Sequence, residues 1–441
     1  MFSSESKVPR TCTPRAWPLL GHLPAFYKDK LAFLDHCAES TLPVIQLQVG
    51  EPTILLREPA DIGYVLQEAA SSVAKSPLIS GEQGRQIFGQ GVLTSSGDRH
   101  RRLRAALQQV FSRASAMKFA PAVVESVKQI TTSWKNGEVL NLGAVMPEIA
   151  EAVASRLLFG TGYLRRSAEL NRAFRTRREY LQFRFSFPFS WAAWVPVPLR
   201  FRYQSAMRTI RDYVQARIAD ARRQPDSSCL LELMAATSLT DAELLDEGIA
   251  LGITGYEPVG ESLIWTMWLI ACHPEVQAKL HAEAVQYSRH GIPDATPLPY
   301  TWAVLQESMR LYPPTWLFLR YATAPVTLPS GASVPTGTKL YLSPWIIHRD
   351  SRFYEEPLRF RPERFLDAAE NQRPRFAYFP FGAGVRMCLG THFTELEGTL
   401  ILASLIGDFD VSLVSAGPVR PKPRITLQAA NPVRVRVERR C

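Results

Sequence analysis

No run of 18 apolar residues occurs in these 441, so a membrane-spanning helix is not expected. The opening stretch, MFSSESKVPRTCTPRAWPLLG, holds no apolar segment of signal-peptide length, and a cytoplasmic location follows as the expectation. Cysteine is sparse. Its six occurrences (Cys12, Cys37, Cys229, Cys272, Cys388, Cys441) lie far apart and form no CxxC pair, which argues against a disulfide framework or a zinc site and suits a reducing compartment. Zinc-finger spacings, RNA-binding signatures and basic low-complexity arms are also missing. The net charge of +10, from 51 Lys plus Arg against 41 Asp plus Glu, is mostly arginine scattered through helical-looking segments, so no nucleic-acid partner is expected. Internal repeats and domain-splitting linkers are absent as well. One domain over residues 1–441, acting as a monomer, is the expectation.

What is present is a globular composition, 46% hydrophobic and 21% charged, enough for a sizeable core. Residues 10–25 are punctuated by Pro and Gly, and a helical pattern begins near Tyr27. VIQLQV at 44–49 and TILLRE at 53–58 read as short strands joined by a tight GEP turn. From about 60 to 290 the periodicity is almost wholly helical. Beyond 315, Pro/Gly-rich connections alternate with short strands, followed by a helix at 389–407 and a strand-rich tail. These features predict a mainly α (α+β) fold, a large helical domain with small β-sheets.

The longest helix is expected over about 240–273. Thr240 caps it, Glu243 completes a TDAE capping box, and Pro274 after His273 ends it. Some thirty residues give a length of roughly 45 Å, and a helix that long and that apolar must be buried. Yet its middle, GITGYEPVG at 252–260, holds three glycines and a proline. Such residues cost about 1 kcal/mol per glycine and about 3 for proline. A core helix that breaks its own centre is expected to make room for something.

The most informative segment is FAYFPFGAGVRMCLGTHFTELEG at 376–398. Gly382, Gly384 and Gly390 surround Cys388, so the backbone can turn tightly and lie close to a flat ligand. Cys388 precedes the helix expected at 389–407, whose N-terminal partial charge and free N–H groups favour a thiolate. Arg386, two residues away, can reach an anionic group.

The string FGAGVRMCLG, with its loop at 381–390, resembles the heme-binding signature F-x-x-G-x-R-x-C-x-G of the cytochromes P450 at every specified position. LQESMRLYPP at 305–314 resembles the family's E-x-x-R helix, with Glu307 and Arg310 as its pair on one helix face. RFRPERF at 359–365 resembles the meander motif, whose arginine, here Arg364, joins them in a structural triad. GDRHRRLRAALQQVFS at 97–112 resembles the heme-contacting helix, and PRAWPLLGHL at 14–23 the proline-rich N-terminal segment. The motifs run in family order over nearly the whole chain. The resemblance implies a P450 fold and one heme b whose iron takes the Cys388 thiolate. His100, Arg104, Arg320 and Arg386 are then the expected partners of its propionates. His348 and Arg349 fit the family too, in a structural role.

In one place the sequence departs from that pattern. The family's central helix reads A-G-x-[DE]-T, its acid and alcohol relaying protons during oxygen activation. Here the matching residues are Thr254-Gly255-Tyr256-Glu257-Pro258. Glu257 keeps the acid, but Pro258 replaces the alcohol and removes an N–H, freeing the Thr254 carbonyl. Thr254 and Ser262 are nearby hydroxyls, neither at the matching position. Monooxygenation with dioxygen and external electron donors is expected. Peroxide-driven oxidation, phenol coupling, redox-neutral rearrangement and a non-enzymatic heme sensor remain as alternatives. The aromatic stretch at 180–203 falls where the family places a mobile lid and points to a large apolar or aromatic substrate of secondary-metabolite type. No flavin or iron–sulfur module is present, so electrons would come from a ferredoxin or flavodoxin docking near Arg99, Arg101 and Arg102.

Overall fold

The computed structural model describes residues 14–160, 167–186, 198–223, 228–290, 298–367, 372–414 and 417–440. It divides into two compact units, one of residues 1–76, 316–359 and 372–387 and another of residues 77–315, 360–371 and 388–441. Among the described residues no helix is long and apolar enough to cross a membrane.

The first unit is built on a five-stranded sheet. Its strands are β1 (Val44–Val49), β2 (Glu51–Leu56), β3 (Val73–Lys75), β4 (Phe318–Ala322) and β5 (Lys339–Leu342), in the order β1-β2-β5-β4-β3. The expected hairpin is there, turning at Gly50, with Val49 opposite Glu51 and Val44 opposite Leu56. Along β1 the alternation is regular, Ile45, Leu47 and Val49 buried and Gln46 and Gln48 outward, the period-2 pattern of a half-buried strand. In β2 Thr53 through Leu56 are all buried, as suits a strand with neighbours on both sides, antiparallel to β1 and parallel to β5.

The second unit is mainly helical. Its principal helices are α1 (Gly97–Gln108), α2 (Leu142–Phe159), α3 (Ser167–Ser186), α4 (Pro198–Arg223), α5 (Asp241–Thr254), α6 (Glu257–Cys272), α7 (Pro299–Leu311) and α8 (Thr391–Asp408). A three-stranded sheet (Glu138–Asn141, Arg434–Arg439, Phe409–Leu413) and a hairpin (Pro421–Pro423 with Leu427–Ala429) complete it. The lid segment expected at 180–203 falls partly outside the described residues, which omit 187–197.

The central helix differs from the expectation in extent. It is two helices, α5 and α6, separated at Gly255 and Tyr256. The capping box forms as expected: Glu243 N donates to Thr240 Oγ1 (3.3 Å) and Thr240 N to Glu243 Oε2 (3.1 Å). The last rung of α5 is Gly255 N to Leu251 O at 3.0 Å. Pro258 has no N–H to give the Thr254 carbonyl, so the ladder stops there and restarts with Gly260 N to Tyr256 O at 2.8 Å. Beyond the break α6 is buried on nearly every face, each Leu or Ile contributing about 1.5–3 kcal/mol of burial. Trp265 stacks on Tyr312 with ring centres 4.1 Å apart.

The room made by the central glycines is filled by the chain itself. A Cβ on Gly260 would meet Pro147 Cα of α2 at 3.1 Å, and one on Gly252 would meet the Phe174 ring of α3 at 2.9 Å. Both glycines are there for close approach of neighbouring helices.

Candidate heme-thiolate site

The loop at 381–390 passes from the first unit to the second between Met387 and Cys388. In the first unit it turns sharply: Gly384 has φ +65, and a Cβ there would lie 2.2 Å from the Leu66 carbonyl oxygen. Only glycine fits such a position. His348, fully buried, accepts a hydrogen bond at Nε2 from Phe379 N (3.0 Å) and so holds the approach to the loop. Arg349 lies over the Trp345 ring. Both have the structural role expected of them.

Also in the first unit, Arg320 on β4 donates to Leu319 O (2.9 Å) and pairs with no carboxylate among the described residues. Burial and then the like charge of Arg386 lower its pKa to about 10. Two cations pressed together in poorly hydrated surroundings favour an anion beside them. This chemistry fits the propionate of a heme.

In the second unit Cys388 lies just before α8. That helix starts at Thr391, two residues later than expected, with Gly390 as its N-cap, and Thr391 Oγ1 donates to the Cys388 carbonyl at 2.9 Å. A Cβ on Gly390 would come within 4.0 Å of Cys388 Sγ, so the glycine keeps one side of the sulfur clear. Cys388 is exposed to solvent, yet the protein packed around it raises its thiol above the ordinary value. The Gly390 N–H and the charge of Arg104 pull the other way. The helix-terminal stabilisation of a thiolate is therefore present but outweighed by burial. A coordinated metal ion removes that proton outright, so the donor set fits a heme iron.

His100 and Arg104 stand four residues apart on α1, His100 buried and Arg104 half-buried. Burial lowers the Arg104 pKa and Cys388 offsets it, which places this arginine close to the sulfur. The neighbouring Arg99, Arg101 and Arg102 are exposed, but each faces a carboxylate of its own chain. Arg99 and Arg102 pair with Glu243, and Arg101 with Asp98.

The E-x-x-R and meander residues come together as a buried network. Glu307 Oε2 accepts from Arg310 Nε (2.7 Å), while its Oε1 accepts from Arg310 Nη2 (2.8 Å), Arg364 Nε (3.0 Å) and the Arg361 N–H (3.0 Å).

On α6, Glu257 is buried, and Thr426 Oγ1 donates to its Oε1 at 3.4 Å. Burial raises its carboxyl, with the charge of Arg178 and the Thr426 bond opposing. The hydroxyls flanking Pro258 are directed into their own helices: Thr254 Oγ1 to Ala250 O (3.0 Å) and Ser262 Oγ to Pro258 O (2.9 Å).

Several buried charges escaped the sequence reading. Arg177 on α3 is fully buried and donates to Ile249 O (2.6 Å) and Ile87 O (3.1 Å). Glu247 on α5 accepts from Val92 N at 2.5 Å. Glu397 on α8 has its carboxyl pushed up to about 8 by burial. Glu261, one turn beyond Glu257, is likewise pushed up to about 8. A signal existed only for the last. In EPVGESLIWTMWLIAC the two glutamates are the sole charges on an otherwise apolar helix, spaced i and i+4.

Comparison with known proteins agrees with this arrangement. The family model described as Cytochrome P450 matches residues 12–437. Cyclooctatin synthase of Streptomyces melanosporofaciens is 28% identical, over 96% of this chain and 95% of that protein. Cyclooctat-9-en-7-ol 5-monooxygenase of the same organism is 29% identical, over 94% and 90%. Pentalenene oxygenase of Streptomyces avermitilis is 28% identical, over 97% of both chains. With the cysteine loop, the buried E-x-x-R network and a family match of this extent, the chain belongs to the cytochrome P450 family, the heme b-dependent monooxygenases.

Proposed function

We propose that this P450 monooxygenase oxidises a large apolar, terpenoid-type secondary metabolite, using dioxygen and electrons from a separate ferredoxin- or flavodoxin-type donor. The observation that carries the reading is the Cys388 loop in a chain that is similar nearly end to end to a pentalenene oxygenase, a cyclooctatin synthase and a cyclooctat-9-en-7-ol 5-monooxygenase. Heme b held by the Cys388 thiolate would supply the oxidising centre. His100 and Arg104 on α1 would hold its anionic groups. Glu257 would move protons, and a stretch as rich in Phe and Trp as 180–203 suits a large apolar substrate. The electron donor would dock through the exposed edge of α1. There Glu243 and Asp98 already offset part of the arginine charge, so steering of an acidic partner should be modest and salt-sensitive.

Peroxide-driven oxidation is kept as a second reading because Pro258 supplies no hydroxyl and those of Thr254 and Ser262 donate to carbonyls a turn back. The first test is the reduced carbon-monoxide spectrum. Wild type is expected to give the red-shifted band of thiolate ligation, and Cys388→Ser to abolish it; a surviving band would refute the ligand assignment. Incubation with a panel of cyclic terpenes then separates the readings. Oxygenated product from dioxygen with a ferredoxin and its reductase supports the first, and product from peroxide alone supports the second. No product from any terpene under either condition removes the substrate class.

A further inference from the structure

One face of α6 carries a polar seam. Glu257, Glu261 and Trp265 follow each other at four-residue steps, and each meets the strand Leu427–Ala429 or Thr426, the residue before it. Thr426 donates to Glu257, Gln428 hydrogen-bonds Glu261, and Trp265 Nε1 donates to Leu427 O at 2.8 Å. The tryptophan bond, together with Leu427 N to Pro314 O at 3.0 Å, fixes this segment beside the two acids.

Both glutamates are buried, and Glu261 Oε2 has no hydrogen-bond partner among the described residues. The charged groups around them come from several elements. Arg178 of α3 acts on both acids, Arg424 on Glu261, and each acid acts on the other. Glu151 of α2 and the buried Tyr256 share the field of Arg178. A full negative charge on each glutamate would be repelled by the other in a poorly hydrated place. Thr426 is buried whereas Gln428 is half-buried, so the partner of Glu261 lies nearer solvent than the partner of Glu257.

We propose that Glu257 and Glu261 hold one proton between them and that Glu261 returns a proton to Glu257 each time Glu257 gives one up. The buried face of α6 would thereby deliver protons without an alcohol at position 258. Monooxygenation takes up two protons and two electrons for each dioxygen, one oxygen entering the product and the other leaving as water. The electrons come from the external donor. In the proton step, Glu257 releases its proton inward and becomes a carboxylate. With the shared proton gone, Glu261 takes one from solvent at the Gln428 side, and that O–H bond then breaks as a new O–H forms on Glu257, which restores the pair. Burial, with the neighbouring Glu257 charge, keeps Glu261 protonated to about pH 8, so the store is filled at neutral pH.

The delivery role rests on the oxygenase reading; the sharing of the proton does not, and the experiment separates them. Infrared titration of heme-loaded wild type, Glu257→Gln and Glu261→Gln reads the protonated-carboxyl stretch across pH. If the acids share a proton, removing one charge should shift the other acid's midpoint downward by a pH unit or more in both variants. Midpoints that do not move overturn the sharing. Carbon-monoxide spectra confirm that each variant folds around heme. In turnover with any oxidised substrate, Glu261→Gln should lower the ratio of product to peroxide several-fold and enlarge the solvent isotope effect, with Glu261→Asp restoring both. A cross-shift in the infrared without either turnover effect overturns the relay. If turnover with dioxygen fails in wild type too, the oxygenase reading has failed, and the infrared result still decides the sharing.

Discussion

Glu307→Ala should be among the most damaging single changes in the second unit. Glu307 and Arg310 have no side-chain exposure, and neither does Arg364. The carboxylate accepts from two guanidinium nitrogens of Arg310, from Arg364 Nε and from the Arg361 N–H. It is the acid that holds the turn at Pro362–Phe365 against α7. Glu363 adds ties to Lys279 at 2.6 Å and to Tyr300 of α7 at 3.2 Å; the lysine pair is half exposed on both sides and worth about 1 kcal/mol or less. Alanine at 307 leaves two buried guanidinium groups without their carboxylate. Breaking such a pair costs about 3–5 kcal/mol, a large part of the roughly 5–15 kcal/mol that a folded chain has in reserve. Urea unfolding, with heme absorbance as a second probe, should show a much lower midpoint or protein that never loads heme. A midpoint equal to wild type would refute the reasoning. The triple change Glu307→Leu, Arg310→Met, Arg364→Met sharpens the test. It leaves no charge at these three positions and should cost less than Glu307→Ala alone. If it costs more, the penalty lies in lost attraction and not in stranded charge.

Gly384→Ala places a Cβ against the Leu66 carbonyl at a positive φ; heme occupancy should fall and stability drop by at least about 1–3 kcal/mol, and normal loading would show that the loop relaxes. Glu247 gives a pH test: burial, opposed by the Val92 N–H bond, pushes its carboxyl up to about 7. The folded chain thus holds this proton more tightly than the unfolded one, and stability falls as pH rises from about 4.5 to 7. Glu247→Gln should flatten that slope and gain roughly 3 kcal/mol at pH 8, at about 1.4 kcal/mol per pH unit; parallel urea-midpoint profiles for the two proteins would disprove it. Pro258→Thr returns a hydroxyl and an N–H for the Thr254 carbonyl, so the product-to-peroxide ratio should rise with substrates lacking a hydroxyl near the oxidised carbon. An unchanged ratio would make Pro258 a packing residue only.

What could be read from the sequence was what neighbours along the chain enforce. The Thr240–Glu243 box, the Gly50 hairpin and the Glu307–Arg310 pair each lie within a few residues, and local spacing settles their geometry. The break in the central helix was legible because a missing N–H is a property of Pro258 itself. Its setting was not. The room left by Gly252 and Gly260 read as space for something unnamed, while Phe174 and Pro147 occupy it from other helices. The seam on α6 was hidden for the same reason, since Thr426 lies 169 positions from Glu257.

Arg177 marks the firmest limit. A buried cation normally advertises itself through an acid at a suitable spacing, and here the acceptors are the carbonyls of Ile249 and Ile87, 72 and 90 positions away. Every residue carries a carbonyl, so nothing in the residue types distinguishes those two. The same arginine therefore reads as one more charge on the face of α3. Folded, it ties that helix to α5 and to the helix Glu82–Phe88. Side-chain partners leave a trace in sequence because they demand a residue type, whereas backbone partners demand only a position.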